Sequence, residues 1–103
     1  MEMHQVRYFL AICKELNFTR AAKRCGVAQP SLTRAIKRLE DELGGRLFHR
    51  DQKSTRLSML GKLVQPQFAQ IDRRARTAQR QAKIFLKSGE TPPVQQPDYG
   101  PNY

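Results

Sequence analysis

Gly26 constrains this chain more than any other single residue. Before it, Thr19 to Arg24 fits one short helix; after it, a longer helical pattern opens near Gln29 with Pro30 in its first turn. Proline is harmless there, because the N–H it lacks has no intrahelical partner at that position. A glycine between two such patterns turns the backbone through the left-handed region at little cost. Helices joined that tightly must cross, and crossing needs small or apolar side chains at the contact. Ala21, Ala22, Cys25, Val27, Leu32 and Ala35 supply them. Phe18 to Lys37 therefore reads as a helix-turn-helix. On this spacing alone, an ordinary three-helix core is the alternative.

The flanking patterns extend the reading. Val6, Phe9, Leu10, Cys13 and Leu16 form one helical stripe, predicting a helix over 2–15 closed by Asn17. Thr19 is the expected N-cap of the second helix. In the third, Leu32, Ile36, Leu39 and Leu43 are expected to turn inward, and Gly44-Gly45 ends it. Residues 47–50 and 55–58 then flank the polar tip Asp51-Gln52-Lys53-Ser54, a candidate hairpin. A long helix is expected over 59–87, kinked near Pro66. The last stretch, 88–103, holds four of the six prolines and two of the six glycines and reads as an unpacked tail. The expected organisation is a mainly α domain over 1–58, a linker helix over 59–87 and a flexible Pro-rich tail over 88–103.

Charge narrows the partners. The chain has 19 Lys and Arg against 9 Asp and Glu, a net charge of +10. Such an excess points to a polyanion, nucleic acid before an anionic membrane surface. No apolar run approaches the ~18 residues of a membrane span, and the N-terminus has no secretory h-region. Cys13 and Cys25 are too few and too far apart for a disulfide framework or a zinc site. They read as small buried thiols in a reducing compartment. His4 and His49 stand apart from any nucleophile. The chain is not expected to be an enzyme or to hold a metal or cofactor.

Three surfaces follow from these elements. With its leucines turned inward, the third helix presents Pro30, Arg34, Lys37, Arg38 and Asp41 outward, with Thr33 at the flank and Gln29 at the start. Arg pairs with guanine, Gln with adenine, and a Thr methyl meets the thymine methyl. A solvated charged face is the plain alternative; the position, on the second helix of a helix-turn-helix, favours a major groove. Arg50, Lys53 and Arg56 make the hairpin a second basic element, suited to DNA backbone or minor groove. On the long helix, Val64, Phe68, Ile71, Ala75, Ala78, Ala82 and Phe85 recur at spacings of 4, 3, 4, 3, 4 and 3. Such a seam argues for pairing with a second copy; folding back on the core is the alternative.

Together these segments resemble the N-terminal DNA-binding region of LysR-type transcriptional regulators, over about 1–67. The resemblance is carried by Val6-Arg7-Tyr8-Phe9-Leu10, by Asn17-Phe18-Thr19-Arg20-Ala21-Ala22 and by the run from Val27 to Ile36. Leu39-Glu40, Glu42-Leu43-Gly44 and Leu47-Phe48-His49-Arg50 complete it. It implies a winged helix-turn-helix that dimerises through the long helix and binds double-stranded promoter DNA in a bacterial cytoplasm. By position it assigns Gln29, Pro30, Ser31, Thr33 and Arg34 to base edges. Thr19 goes to a phosphate, Lys37 and Arg38 to the backbone, and Arg50 and Lys53 to the wing. The chain departs from the family at Ser58-Met59-Leu60-Gly61, where relatives read Thr-x-Ala-Gly. Relatives also continue into an α/β effector-binding domain; here a proline-rich stretch follows, so no small-molecule effector is expected to bind these residues.

Two other functions compete. One is a winged-helix protein-interaction module that forms mixed dimers with a full-length regulator, which an apolar seam alone would favour. The other is a non-specific nucleic-acid binder, supported only by charge and lacking the interleaved aromatic residues of single-strand readers. The basic patch on the third helix and wing favours sequence-specific DNA binding.

Overall fold

In the computed structural model, which describes residues 1–51 and 53–89, the elements run α1 (Met3–Glu15), α2 (Phe18–Cys25), α3 (Gln29–Leu43), β1 (Phe48–Arg50), β2 (Thr55–Leu57) and α4 (Met59–Ser88). This is a mainly helical winged helix-turn-helix followed by a long helix. The part of the expected tail from Glu90 onward lies outside the described residues.

The helical stripes become the core. Val6, Phe9 and Ile12 of α1 meet Ala21 and Ala22 of α2 and Leu32, Ile36 and Leu39 of α3, all essentially solvent-free. Gln5 is also buried, and both ends of its amide are used: its Oε1 accepts from the Glu2 N–H at 2.7 Å, and its Nε2 reaches the Ala35 carbonyl at 3.5 Å. One side chain thus caps α1 and ties it to α3. Gly26 adopts φ +70°, the left-handed turn expected of it.

Several local expectations are corrected. Leu16 closes α1 with φ 50°, and Asn17 instead caps α2, its Oδ1 accepting from the Arg20 N–H at 2.8 Å. Asn17 takes the cap because α2 begins at Phe18, which leaves Thr19 inside the first turn. Leu43 is 37% exposed, because α3 has run past the core by its last turn. Cys13 and Cys25 are half-buried free thiols rather than fully buried ones.

The hairpin pairs β1 and β2 antiparallel, with Phe48 opposite Leu57, His49 opposite Arg56 and Arg50 opposite Thr55. Glu40 positions the approach to it, its Oε2 accepting from the Leu47 N–H at 2.7 Å. The junction with α4 is built around Ser58. Its hydroxyl accepts from the Gly61 N–H at 2.9 Å and donates to the Arg46 carbonyl at 2.6 Å. Serine therefore does the capping at the position where the family reads threonine. Gly61 is required by space: a Cβ there would run into the Leu47 carbonyl oxygen and sit 2.7 Å from Leu57 Cδ2.

α4 is one helix of 30 residues, about 45 Å long, with Pro66 inside it. Its apolar stripe divides. Phe68 is 5% exposed and enters the core, with Val64 and Ile71 packed beside it. Beyond Ala75 the same stripe leaves the core, and Ala78, Ala82 and Phe85 are exposed. For its first three turns the long helix is therefore a folded-back core element.

Candidate nucleic-acid interface

The burial of Leu32, Ala35, Ile36 and Leu39 fixes the rotation of α3. Pro30, Ser31, Arg34, Lys37, Arg38 and Asp41 are consequently exposed, and Gln29 and Thr33 half-exposed. Two short contacts organise this face. Gln29 Nε2 donates to Thr33 Oγ1 at 3.1 Å, and the Arg34 guanidinium reaches Ser31 Oγ at 3.4 Å. Polar side chains at spacings of four and three are thus held against the helix, with spare donors and acceptors turned outward.

The wing is ordered by its own carboxylate. Asp51 Oδ1 accepts from the backbone N–H groups of Lys53 and Ser54, at 2.9 and 2.8 Å, and from the Ser54 hydroxyl at 3.3 Å. The Lys53 N–H, then that of Ser54, hold the Asp51 carboxyl below its usual range. This closed turn leaves Lys53 exposed at the tip. Behind it, the Arg50 guanidinium lies over the Phe18 ring, 4.1 Å from the centroid. Asn17, Phe18, Thr19, Arg50, Lys53 and Thr55 line one open depression of about 160 Å³. The structure thereby brings Thr19 of α2 together with Arg50 and Lys53 of the wing. Lys37 and Arg38 stay with α3.

Among the described residues, ion pairs hold the side chains of Arg20, Arg24 and Arg76, none of them on α3 or the wing. Glu15, at the end of α1, holds Arg24 at 3.1 Å and Arg20 at 3.5 Å on α2. Among the described residues, Arg34, Lys37, Arg38, Arg50, Lys53 and Arg56 have no acidic partner within ion-pair distance. The sequence reading missed Phe18 as a platform for Arg50 and Asp51 as the organiser of the tip. The second had a signal, an Asp three residues before a Ser in a turn; the first depends on which helix the wing folds against.

No group of three or more His, Cys, Asp or Glu side chains among the described residues is placed to hold a metal ion, and no helix there is long and apolar enough to cross a membrane.

Comparison with known proteins agrees with this arrangement. Residues 3–62 match the family of bacterial regulatory helix-turn-helix proteins, lysR family. Similar proteins include the HTH-type transcriptional regulator BudR of Klebsiella aerogenes, 48% identical over 61 residues, covering 59% of this chain and 43% of BudR. The HTH-type transcriptional regulator IlvR of Caulobacter vibrioides is 37% identical over 95 residues, covering 88% of this chain and 30% of IlvR. The chain thus spans less than half the length of these relatives, which are transcriptional regulators. Among solved structures, the BenM_DBD/catB site 1 DNA complex superposes with a TM-score of 0.78 at 30% identity, covering 84% of this chain and 97% of that one. The CbnR_DBD–DNA complex gives 0.77 at 30% identity, covering 84% and 99%. With the match spanning more than half of its residues, this chain belongs to the LysR family of bacterial helix-turn-helix regulatory proteins.

Proposed function

We propose that this chain is a sequence-specific double-stranded DNA-binding module of a bacterial transcription regulator, acting in the cytoplasm as a homodimer through α4. The observation that carries the reading is the unneutralised cationic face of α3 and the wing, with its polar side chains already ordered. Gln29, Pro30, Ser31, Thr33 and Arg34 meet base edges in the major groove. Arg34 offers a guanidinium fork to guanine O6 and N7, and Gln29 an amide to adenine. Thr19, Lys37, Arg38, Arg50 and Lys53 meet phosphates or the adjoining groove and set register without reading sequence. The relatives support the regulatory role, and the BenM_DBD and CbnR_DBD complexes contain DNA. Two recognition helices must lie about one helical turn apart, roughly 34 Å, or a multiple of it. The exposed outer half of the α4 stripe supplies the surface that would hold them so.

Selection of bound fragments from random duplex DNA tests this. The expected result is a motif with two-fold symmetry. Arg34→Ala should weaken binding to that motif by about 1–3 kcal/mol and relax preference at one base position in each half-site. Recovery of no motif, or an Arg34→Ala protein with unchanged preference, would remove α3 as the reader.

A further inference from the structure

Arg73, Arg76, Arg80, Lys83 and Lys87 follow one another along α4 at spacings of 3, 4, 3 and 4. Their stripe has the same period as the apolar stripe of this helix but lies roughly 150° around the axis from it. All five are exposed. Arg76 is paired with Asp72 at 2.9 Å; among the described residues, the other four have no acidic partner. Like charges three and four residues apart repel, so the stripe weakens the helix that carries it until something anionic neutralises it.

We propose that this stripe is a second phosphate-backbone surface, taking double-stranded DNA that flanks the segment read by α3. The inference rests on the reading of the chain as a DNA binder. From Arg73 to Lys87 the stripe runs about 21 Å. One duplex strand carries a charge about every 3.4 Å of axis, so the stripe can pass about six phosphates. Three of its five cations are arginines, whose guanidinium forks match phosphate oxygens two at a time.

Arg76 also borders an open groove of about 430 Å³ between α1, the end of α2 and α4, whose lining includes Arg7, Lys14 and Arg24 together with Asp72. α1 packs against both α3 and α4, which make no comparable contact with each other, so this is a different surface from the outward face of α3. It also stays free when the apolar stripe pairs with a second copy. A membrane surface fits less well. Large apolar side chains beside the cations are confined to the outer end of α4, at Ile84, Phe85 and Leu86, whereas Ala75, Ala78 and Ala82 along the rest of the stripe insert little into a bilayer.

The test uses the full chain and the variant R73Q/R80Q/K83Q/K87Q, which spares the Asp72–Arg76 pair. Each is titrated, across a range of salt, against a short duplex holding the selected site and the same site with long flanks. The unmodified chain should bind the long duplex at least tenfold more tightly at low salt. Its salt slope there should be steeper by about one unit per contact, up to about four. The variant should keep its helicity and its affinity for the short duplex and lose the gain from flanks. In an Arg34→Ala background the gain should persist, which separates failure of this surface from failure of α3 as the reader. A variant that retains the full gain and slope overturns the proposal. So does equal loss on short and long duplexes, which would place the stripe inside the recognition footprint. Stripe-dependent binding to phosphatidylglycerol vesicles, without a stripe-dependent gain on long DNA, would assign the surface to membranes instead.

Discussion

The Arg50 guanidinium carbon stands 4.1 Å from the centroid of the Phe18 ring, a wing cation resting on a helix aromatic. Phe18 in turn meets Phe48 edge-on at 5.8 Å, Phe48 meets Phe9 at 5.4 Å, and Phe9 meets Phe68 edge-on at 5.1 Å. A single aromatic series therefore links α4 through α1 to the cation at the base of the wing. Orientation of Arg50 is a consequence of core packing, not of the hairpin alone.

That relationship separates position from charge. Arg50→Ala removes both, so it should weaken binding to all duplexes alike and flatten the salt dependence by about one unit of slope. Phe18→Leu keeps the charge and removes the ring. A cation–π contact is worth about 0.5–2 kcal/mol, so binding should weaken while the salt slope stays. Titrations at several salt concentrations decide, with a thermal melt of Phe18→Leu to register the cost of the lost packing. Equal slopes for the two variants would mean that Arg50 does not act on phosphate.

The helix faces were legible in the sequence because each is written locally, in residues three and four apart. Gly26 was legible because few residues other than glycine take φ +70° without strain. The caps were not, because Asn17 and Thr19 are both good N-caps and only the packing of Phe18 into the core chooses between them. The division of the α4 stripe was hidden for the same kind of reason. A 3-4 repeat looks the same whether the partner is this chain's α1 or a second copy, and Phe68 reveals its partner only beside Phe9. The outward set on α3 came out as expected because four buried residues fix the rotation of the whole helix.

Ser58 and Gly61 make the start of α4 sensitive in two distinct ways. Ser58→Ala removes an N-cap and leaves the Arg46 carbonyl without its donor, for a loss of about 1–2 kcal/mol. Ser58→Thr retains both bonds and should be close to neutral, in line with the threonine of the family pattern. Gly61→Ala forces a methyl against the Leu47 backbone and should cost about 1–3 kcal/mol, the range of an overpacked core. At Gly45 the obstructing atom is only the end of the Leu60 side chain, at 2.9 Å, so alanine there should cost less. Denaturant titration of the four variants gives the ranking, and a Gly61→Ala protein as stable as the parent would contradict the described junction.

Burial pushes the Cys13 thiol from 9.0 up to about 12, outweighing the lowering effect of a backbone hydrogen bond. A raised pKa means that the folded chain holds the proton more tightly than the unfolded one. The resulting stability is complete below pH 9 and is lost as pH rises from about 9 toward 12. Between these values Cys13→Ala should show a shallower fall in stability with pH than the parent chain. At neutral pH Cys13 should resist alkylation until the chain unfolds, because the thiolate is the reactive form. Rapid labelling of Cys13 in the native protein, read by mass spectrometry, would show the site to be open.

The two halves of the α4 stripe should respond differently to a buried charge. Phe68 is buried and Val64 and Ile71 are half-buried against this chain's own α1, so a charge at Ile71 damages the fold before it can report on association. Ala82 is different. It lies on the same stripe but is exposed, beyond the reach of the core, between exposed Ala78 and Phe85. In a lone chain an aspartate there meets water and leaves the fold intact. Between two paired helices it would be buried against its symmetry mate at a cost of several kcal/mol, enough to dissolve a modest interface. Ala82→Asp should therefore sediment as a monomer with an unchanged melting profile. It should lose most affinity for a two-fold DNA site and keep weak binding to a half-site. Ile71→Asp should instead lose thermal stability along with association. If Ala82→Asp remains a dimer with full affinity, the partner is held by some other face, and the outer half of α4 carries its alanines and Phe85 for another purpose.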